Sequence, residues 1–93
     1  MNAVFNPIEK ENIDGLHFPE TDVLTDAQEI RQRKQDLEKA MALGNTEHIK
    51  IQIFFEDDKE KLVTNTTVWA VTPERIVLKK GVVIPIHRIH RIL

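Results

Sequence analysis

Ninety-three residues, 41% apolar and 30% charged, place the chain in the soluble globular class, long enough for one hydrophobic core and too short for two. The absence of cysteine excludes disulfides, thiolate metal sites and a cysteine nucleophile, and it favours the cytoplasm. No run approaches the ~18 apolar residues of a membrane span, and the N-terminus lacks the basic-then-apolar plan of a secretory leader. The expectation is a cytoplasmic protein without a membrane partner. Net charge is −2 but unevenly spread. Residues 1–24 carry Glu9, Glu11, Asp14, Glu20 and Asp22 against Lys10, whereas residues 71–93 carry Arg75, Lys79, Lys80, Arg88 and Arg91 against Glu74, with His87 and His90 beside them. Such asymmetry marks either a basic binding face or an acidic arm lying against a basic end; the second is the commoner outcome.

Residues 1–24 form an acidic arm. Its apolar positions (Val4, Phe5, Ile8, Ile13, Leu16, Phe18) follow neither a helical nor a strand period, and Pro7, Pro19 and Asp14-Gly15 punctuate it. The arm holds too many large apolar groups for a disordered tail. It is expected to be pinned at Leu16-His17-Phe18, with the first few residues loose. A helix follows, started by Thr25 or Asp26 as N-cap, with Gln28 or Glu29 placed to complete a capping box. Ala27, Ile30, Leu37, Ala40 and Met41 give it one narrow apolar stripe, and Gly44-Asn45 predicts its left-handed stop.

Strands begin at His48. Ile49, Ile51, Ile53 and Phe55 alternate with Lys50, Gln52 and Phe54, the period of a half-buried strand. Asp57-Asp58-Lys59-Glu60 reads as a hairpin turn, and Lys61 to Val71, rich in Val and Thr, as a strand long enough to bend across a barrel. Thr72-Pro73-Glu74-Arg75 fits a type I turn. Arg75–Lys79 and Val82–Ile86 then pair through Lys80-Gly81, and Pro85 marks an edge or an end. Ile86-His87-Arg88 predicts a tight turn, with Ile89 to Leu93 as a short closing strand. The predicted fold is α+β: one N-terminal amphipathic helix packed on a five-stranded antiparallel small barrel or strongly bent sheet, occupying residues 25–93. Its expected core is Ile30, Leu37, Met41, Ile51, Ile53, Val68, Ile76, Leu78, Ile84 and Ile89.

This layout resembles the Sm-like and SH3-like small barrels, whose strand-turn-strand exit is similar to Ile84-Pro85-Ile86-His87-Arg88-Ile89. Within that group it looks most like the Rof family, bacterial inhibitors of the transcription terminator Rho. The likeness runs from the helix through the strand entering Asp57-Asp58-Lys59-Glu60-Lys61-Leu62 to the strand pair ending before an isoleucine, over roughly residues 36–92. It is a likeness of pattern. It implies a small regulatory domain with a protein partner.

The residues that carry chemistry are few. His87 and His90, flanked by Arg88 and Arg91, would share a face only on a helix, which Pro85 opposes. Neighbouring arginines repel a cation, so no metal or other cofactor is expected. Thr64, Thr66, Thr67 and Thr72 lack an activating base and read as ordinary strand residues. No glycine-rich phosphate loop exists, and Asp57-Asp58 falls at a hairpin tip. No catalytic residue can be named, and the expectation is a non-enzyme. Trp69 is expected in the core or as a half-buried wall; exposed beside cations it would stack a base or fill a partner's pocket. Phe54, of opposite parity to Ile53 and Phe55, is expected beneath the arm or the helix.

The candidate binding surface is therefore Lys79, Lys80, Arg88, Arg91, Arg75, His87, His90 and Trp69. Two functions fit it. The first is a protein-interaction or regulatory module using a strand edge or the helix surface. The alternative is an RNA-binding small barrel using its basic C-terminal strands. Net negative charge and few aromatics favour the first.

Overall fold

The helix start is built as its residues demand. In the computed structural model, which describes residues 4–93, Asp26 has an extended backbone and its side chain accepts from the Gln28 N–H at 2.8 Å, satisfying one of the orphan donors of the first turn. Helix α1 then runs Ala27–Glu47, so it does not stop at Gly44-Asn45. The left-handed cap falls on His48 (φ 56), whose N–H bonds the Gly44 carbonyl at 3.2 Å. Gly44 has a different task. A Cβ there would stand 2.2 Å from the Val68 carbonyl oxygen, so only glycine lets the helix lie this close to the strand beneath it. Arg33, Leu37, Ala40 and Gly44 form the buried face of α1, with Ile30 and Met41 half-buried.

Seven strands make two sheets. The first has the order β1 (Asn6–Pro7), β3 (Lys61–Thr66), β2 (Ile51–Glu56), β7 (Ile89–Ile92); the second is β4 (Val68–Val71), β5 (Arg75–Leu78), β6 (Val83–Pro85). The α+β class is as expected, but the sheets do not close into one five-stranded barrel. The long strand expected over Lys61–Val71 divides at the buried Thr67, ending one sheet and opening the other. The arm adds β1, which pairs parallel to β3 at Leu62 and Val63. An Asn-Pro pair carries no strand propensity, so this element had no local signature. The Lys79–Gly81 turn joins β5 to β6, with positive φ at both Lys80 and Gly81, and Ile86–Arg88 makes the tight turn into β7.

Two bulges shape the sheets. In β7, Phe54 faces Arg91 and Phe55 faces Ile89, leaving His90 without a partner. The bulge reconciles a three-residue isoleucine spacing with a strand, burying Ile89 and half-burying Ile92. In β4, Val68 faces Leu78 and Ala70 faces Val77, leaving Trp69 as the extra residue.

The core contains Leu37, Ile53, Val68, Ile76, Leu78, Ile84 and Ile89 as expected, while Ile30, Met41 and Ile51 are only half-buried. Ala40, Phe55, Leu62, Val82 and Ile13 join it. Ile13, on a 3-10 turn at Lys10–Gly15, is only 1% exposed, so the arm supplies part of the core itself. Full burial of such a side chain contributes about 1.5–3 kcal/mol. The arm is also pinned where expected: Leu16 and Phe18 pack on the core, and the Asp58 N–H bonds the His17 carbonyl at 3.0 Å. The looseness expected of the first few residues falls mainly on residues 1–3, which lie outside the described residues.

Candidate functional site: a tryptophan groove

The fold disperses the basic cluster of the C-terminal strands. Arg88, expected in solvent, is 5% exposed. Its guanidinium donates to the carbonyls of Glu56, Thr21 and Asp57 at 3.1, 2.7 and 3.3 Å and to the Thr21 hydroxyl, and it lies 3.8 Å from the Glu56 carboxylate. Arg88 therefore locks the arm to the β2 hairpin and is closed to any partner. His87 donates from Nε2 to the Pro19 carbonyl at 2.8 Å, and its own carbonyl accepts from Val23. His90 donates to Glu56 at 2.9 Å and meets the Phe5 ring edge-on. Arg91 lies over Phe54, 4.4 Å from the ring centroid, and Phe54 packs edge-to-face against Phe5 at 5.1 Å. Phe54 thus sits beneath the arm, as expected.

The basic end meets the arm through its carbonyls, and among the described residues no ion pair joins an acid of the arm to a cation of residues 71–93; the arm's Asp22 pairs instead with the helix. Asp22 receives both terminal nitrogens of the buried Arg33 at 2.9 and 2.8 Å, one of which also donates to the Ile89 carbonyl. Those hydrogen bonds, aided by the Leu24 N–H and the charges of Arg33 and His87 and opposed by burial, hold the Asp22 carboxyl below its usual range. Arg75 is exposed but shares its hollow with Glu20, Asp22 and Glu74. Lys80 adds to the field at Glu11, whose carboxyl is lowered chiefly by backbone hydrogen bonding and further by Lys10.

One pair from the predicted surface does come together. Trp69 and Lys79 line an open groove of about 630 Å³ with Gly44, Asn45, His48, Lys50 and Thr67. Trp69 is 45% exposed, more than the core residue or half-buried wall expected of it. Val68 is fully buried, so the alternation of the strand turns position 69 outward, and the bulge in β4 leaves it without a partner across the ladder. Gly44 brings the helix end down onto the strand beside it, and the left-handed cap at His48 turns the chain into Lys50. The Lys79 N–H bonds the Thr67 carbonyl at 3.1 Å, fixing the base of the lysine.

The groove wall is apolar and cationic. Of the five exposed large hydrophobics among the described residues, Leu43, Ile49 and Trp69 come from the segments forming this groove, while Val4 and Leu93 stand near the chain ends. The lining includes no carboxylate. Sequence reasoning missed Lys50 and His48, which are far from Lys79 along the chain. No local signal marked them, since only three residues separate α1 from β2.

The buried threonines Thr64, Thr66 and Thr67 have no histidine or carboxylate among their side-chain hydrogen-bond partners, and among the described residues no group of three or more His, Cys, Asp or Glu is placed to hold a metal ion. No helix among them is long and apolar enough to cross a membrane. Comparisons with models of protein families, with curated proteins and with solved structures gave no match.

Proposed function

We propose that this protein is a non-enzymatic interaction module that docks a segment of a partner protein on the Trp69 groove. The observation that carries the reading is the tryptophan itself, 45% exposed on the outer face of β4 beside the buried Val68. Tryptophan is the residue most enriched among interface hot spots, and it supplies large contact area with little side-chain entropy to lose. Leu43 and Ile49 are exposed apolar residues next in sequence to the lining residues Gly44, His48 and Lys50. Two bent sheets sharing the chain at Thr67, crossed by one helix, support reading the fold as an open relative of the small Sm-like barrels. The Rof-like layout supports a regulatory role on a larger machine, acting in the cytoplasm.

RNA binding in the same groove is the second reading, favoured by a tryptophan beside Lys50 and Lys79. A strand of RNA needs a track of phosphate contacts, and three basic residues of the C-terminal strands are engaged within the fold: Arg88 by carbonyls, Arg91 by Phe54 and His90 by Glu56. The protein reading is therefore preferred. The deciding experiment compares proteins retained from extracts of the source cell by immobilised wild type and by Trp69→Ala. A protein held by the first and lost by the second is the expected result. Identical retention by the two would remove the groove as the docking site.

A further inference from the structure

The chemistry of the occupant can be read from the groove. Resting on the docking proposal above, we infer that the Trp69 groove takes an extended acidic segment of the partner, with one large apolar side chain laid against the tryptophan and flanking carboxylates on Lys50 and Lys79.

Charge complementarity is the first argument. Lys50, Lys79 and His48 are the ionisable residues of the lining, and no carboxylate balances them. Neither lysine is within ion-pair distance of an acid among the described residues, where the ion pairs are Lys10–Glu11, Arg33–Asp22, Arg88–Glu56 and His90–Glu56. On a chain of net charge −2, an acid-free apolar hollow with two unpaired lysines is a local exception. The contrast within the molecule is direct. The hollow between α1 and the end of β4 is also apolar, through Ile30, Val71 and Ile86, but there Glu38 accompanies Arg31 and Lys34. The hollow at Arg75 holds three carboxylates of its own.

Shape is the second argument. The groove is open to solvent, and the buried Gly44 and Thr67 are among its lining. The exposed Asn45 carries an amide that can both donate to and accept from a passing peptide bond. One tryptophan face accommodates one side chain. Lysines on the rim would act mainly on encounter rate and partner choice, and the tryptophan on residence time.

The test uses Trp69 as its own reporter, because it is the only tryptophan in the chain. A short synthetic peptide with one Phe flanked by Asp and Glu is titrated against the full protein while tryptophan emission is followed. The expected result is a saturable change, weakened as salt rises from about 0.05 to about 0.5 M. A peptide with Lys in place of the acids should give no change. Lys50→Glu with Lys79→Glu should weaken the acidic peptide by roughly tenfold or more, since like charges then face each other. Both lysines are exposed, and an unchanged melting temperature shows that the variant is folded. Equal response to acidic and basic peptides, or a response to oligouridylate and not to the acidic peptide, would overturn the inference. If the acidic peptide fails while Trp69→Ala still loses a protein from the extract, the acidic chemistry is wrong and docking at Trp69 survives.

Discussion

The arm side and the groove side of this molecule use their cations in opposite ways. On the arm side, Arg33 and Arg88 are buried and their guanidinium groups reach carbonyls and carboxylates of the arm and the β2 hairpin. On the groove side, Lys50 and Lys79 are exposed, with no acid near them. The difference follows the side chains. A planar guanidinium distributes several donors among fixed acceptors and tolerates burial when they are satisfied, whereas an ammonium is strongly hydrated and keeps to water. A basic residue in a sequence therefore says little about availability until its acceptors are known. Here two of the five arginines, Arg33 and Arg88, are buried and hold the fold together, and the lysines of the groove stay exposed.

The comparison breaks most severely if the element common to both sides is damaged. Leu37 is fully buried on α1, between Arg33 toward the arm and Gly44 toward the groove. Leu37→Ala should lower the unfolding free energy by about 2–5 kcal/mol, read by urea denaturation. A melt shifted by only a degree or two would mean that the helix does not dock there.

Arg88→Ala tests the arm side alone. It leaves the carbonyls of Thr21, Glu56 and Asp57 without their donor, at about 1–3 kcal/mol for each buried acceptor that water cannot reach. A loss of about 3 kcal/mol is expected, accompanied by faster amide exchange at Val23, whose N–H bonds the neighbouring His87 carbonyl. A change under 0.5 kcal/mol would make Arg88 a surface residue after all.

Much of this arrangement was legible in the residues, and the exceptions share a cause. Asp26 as cap, the strand alternation from Ile51, the turn at Ile86–Arg88 and the pinning of Leu16 and Phe18 are local matters, decided by neighbours within a few positions. Gly44 reads locally as a helix stop, and its actual role depends on Val68 lying beneath it. Trp69 reads as core or half-buried wall because it stands in an apolar strand, whereas the strand period, with Val68 buried, turns it outward. Arg88 reads as solvated because nothing nearby in sequence offers it acceptors; Thr21 and Glu56 are supplied by the fold. The barrel expectation failed at Thr67, where one predicted strand serves two sheets. The groove was half visible, through Trp69 and Lys79, and the other half depended on where the helix ends.

The arm side should also respond to acid. Asp22 titrates below its usual value because the folded protein stabilises its carboxylate through Arg33. A group with a lowered folded pKa contributes stability above its unfolded value, about 3.9, and loses it as pH falls through the folded value. Asp22→Asn should therefore cost about 1–2 kcal/mol at pH 7, the range for a partly exposed charged hydrogen bond. The gap from wild type should close in denaturation curves taken near pH 2. A gap that persists in acid would assign the effect to packing.

The smallest stability effect should come from the groove. Lys79→Ala removes an exposed side chain without an acid partner, while its backbone N–H keeps the bond to Thr67. Surface substitutions of this kind stay within about 0.5 kcal/mol, and Lys50→Ala belongs to the same class. Neither lysine offsets a charge inside the protein, so removing one leaves nothing unpaired. Folding alone does not explain an acid-free pair of lysines lining one groove with an exposed tryptophan. If either substitution destabilised the protein as much as Arg88→Ala, the lysine would have a structural partner and the contrast between the two sides would collapse. If both leave the denaturation curve unmoved while changing binding, the groove is kept open for a partner at no cost to the fold.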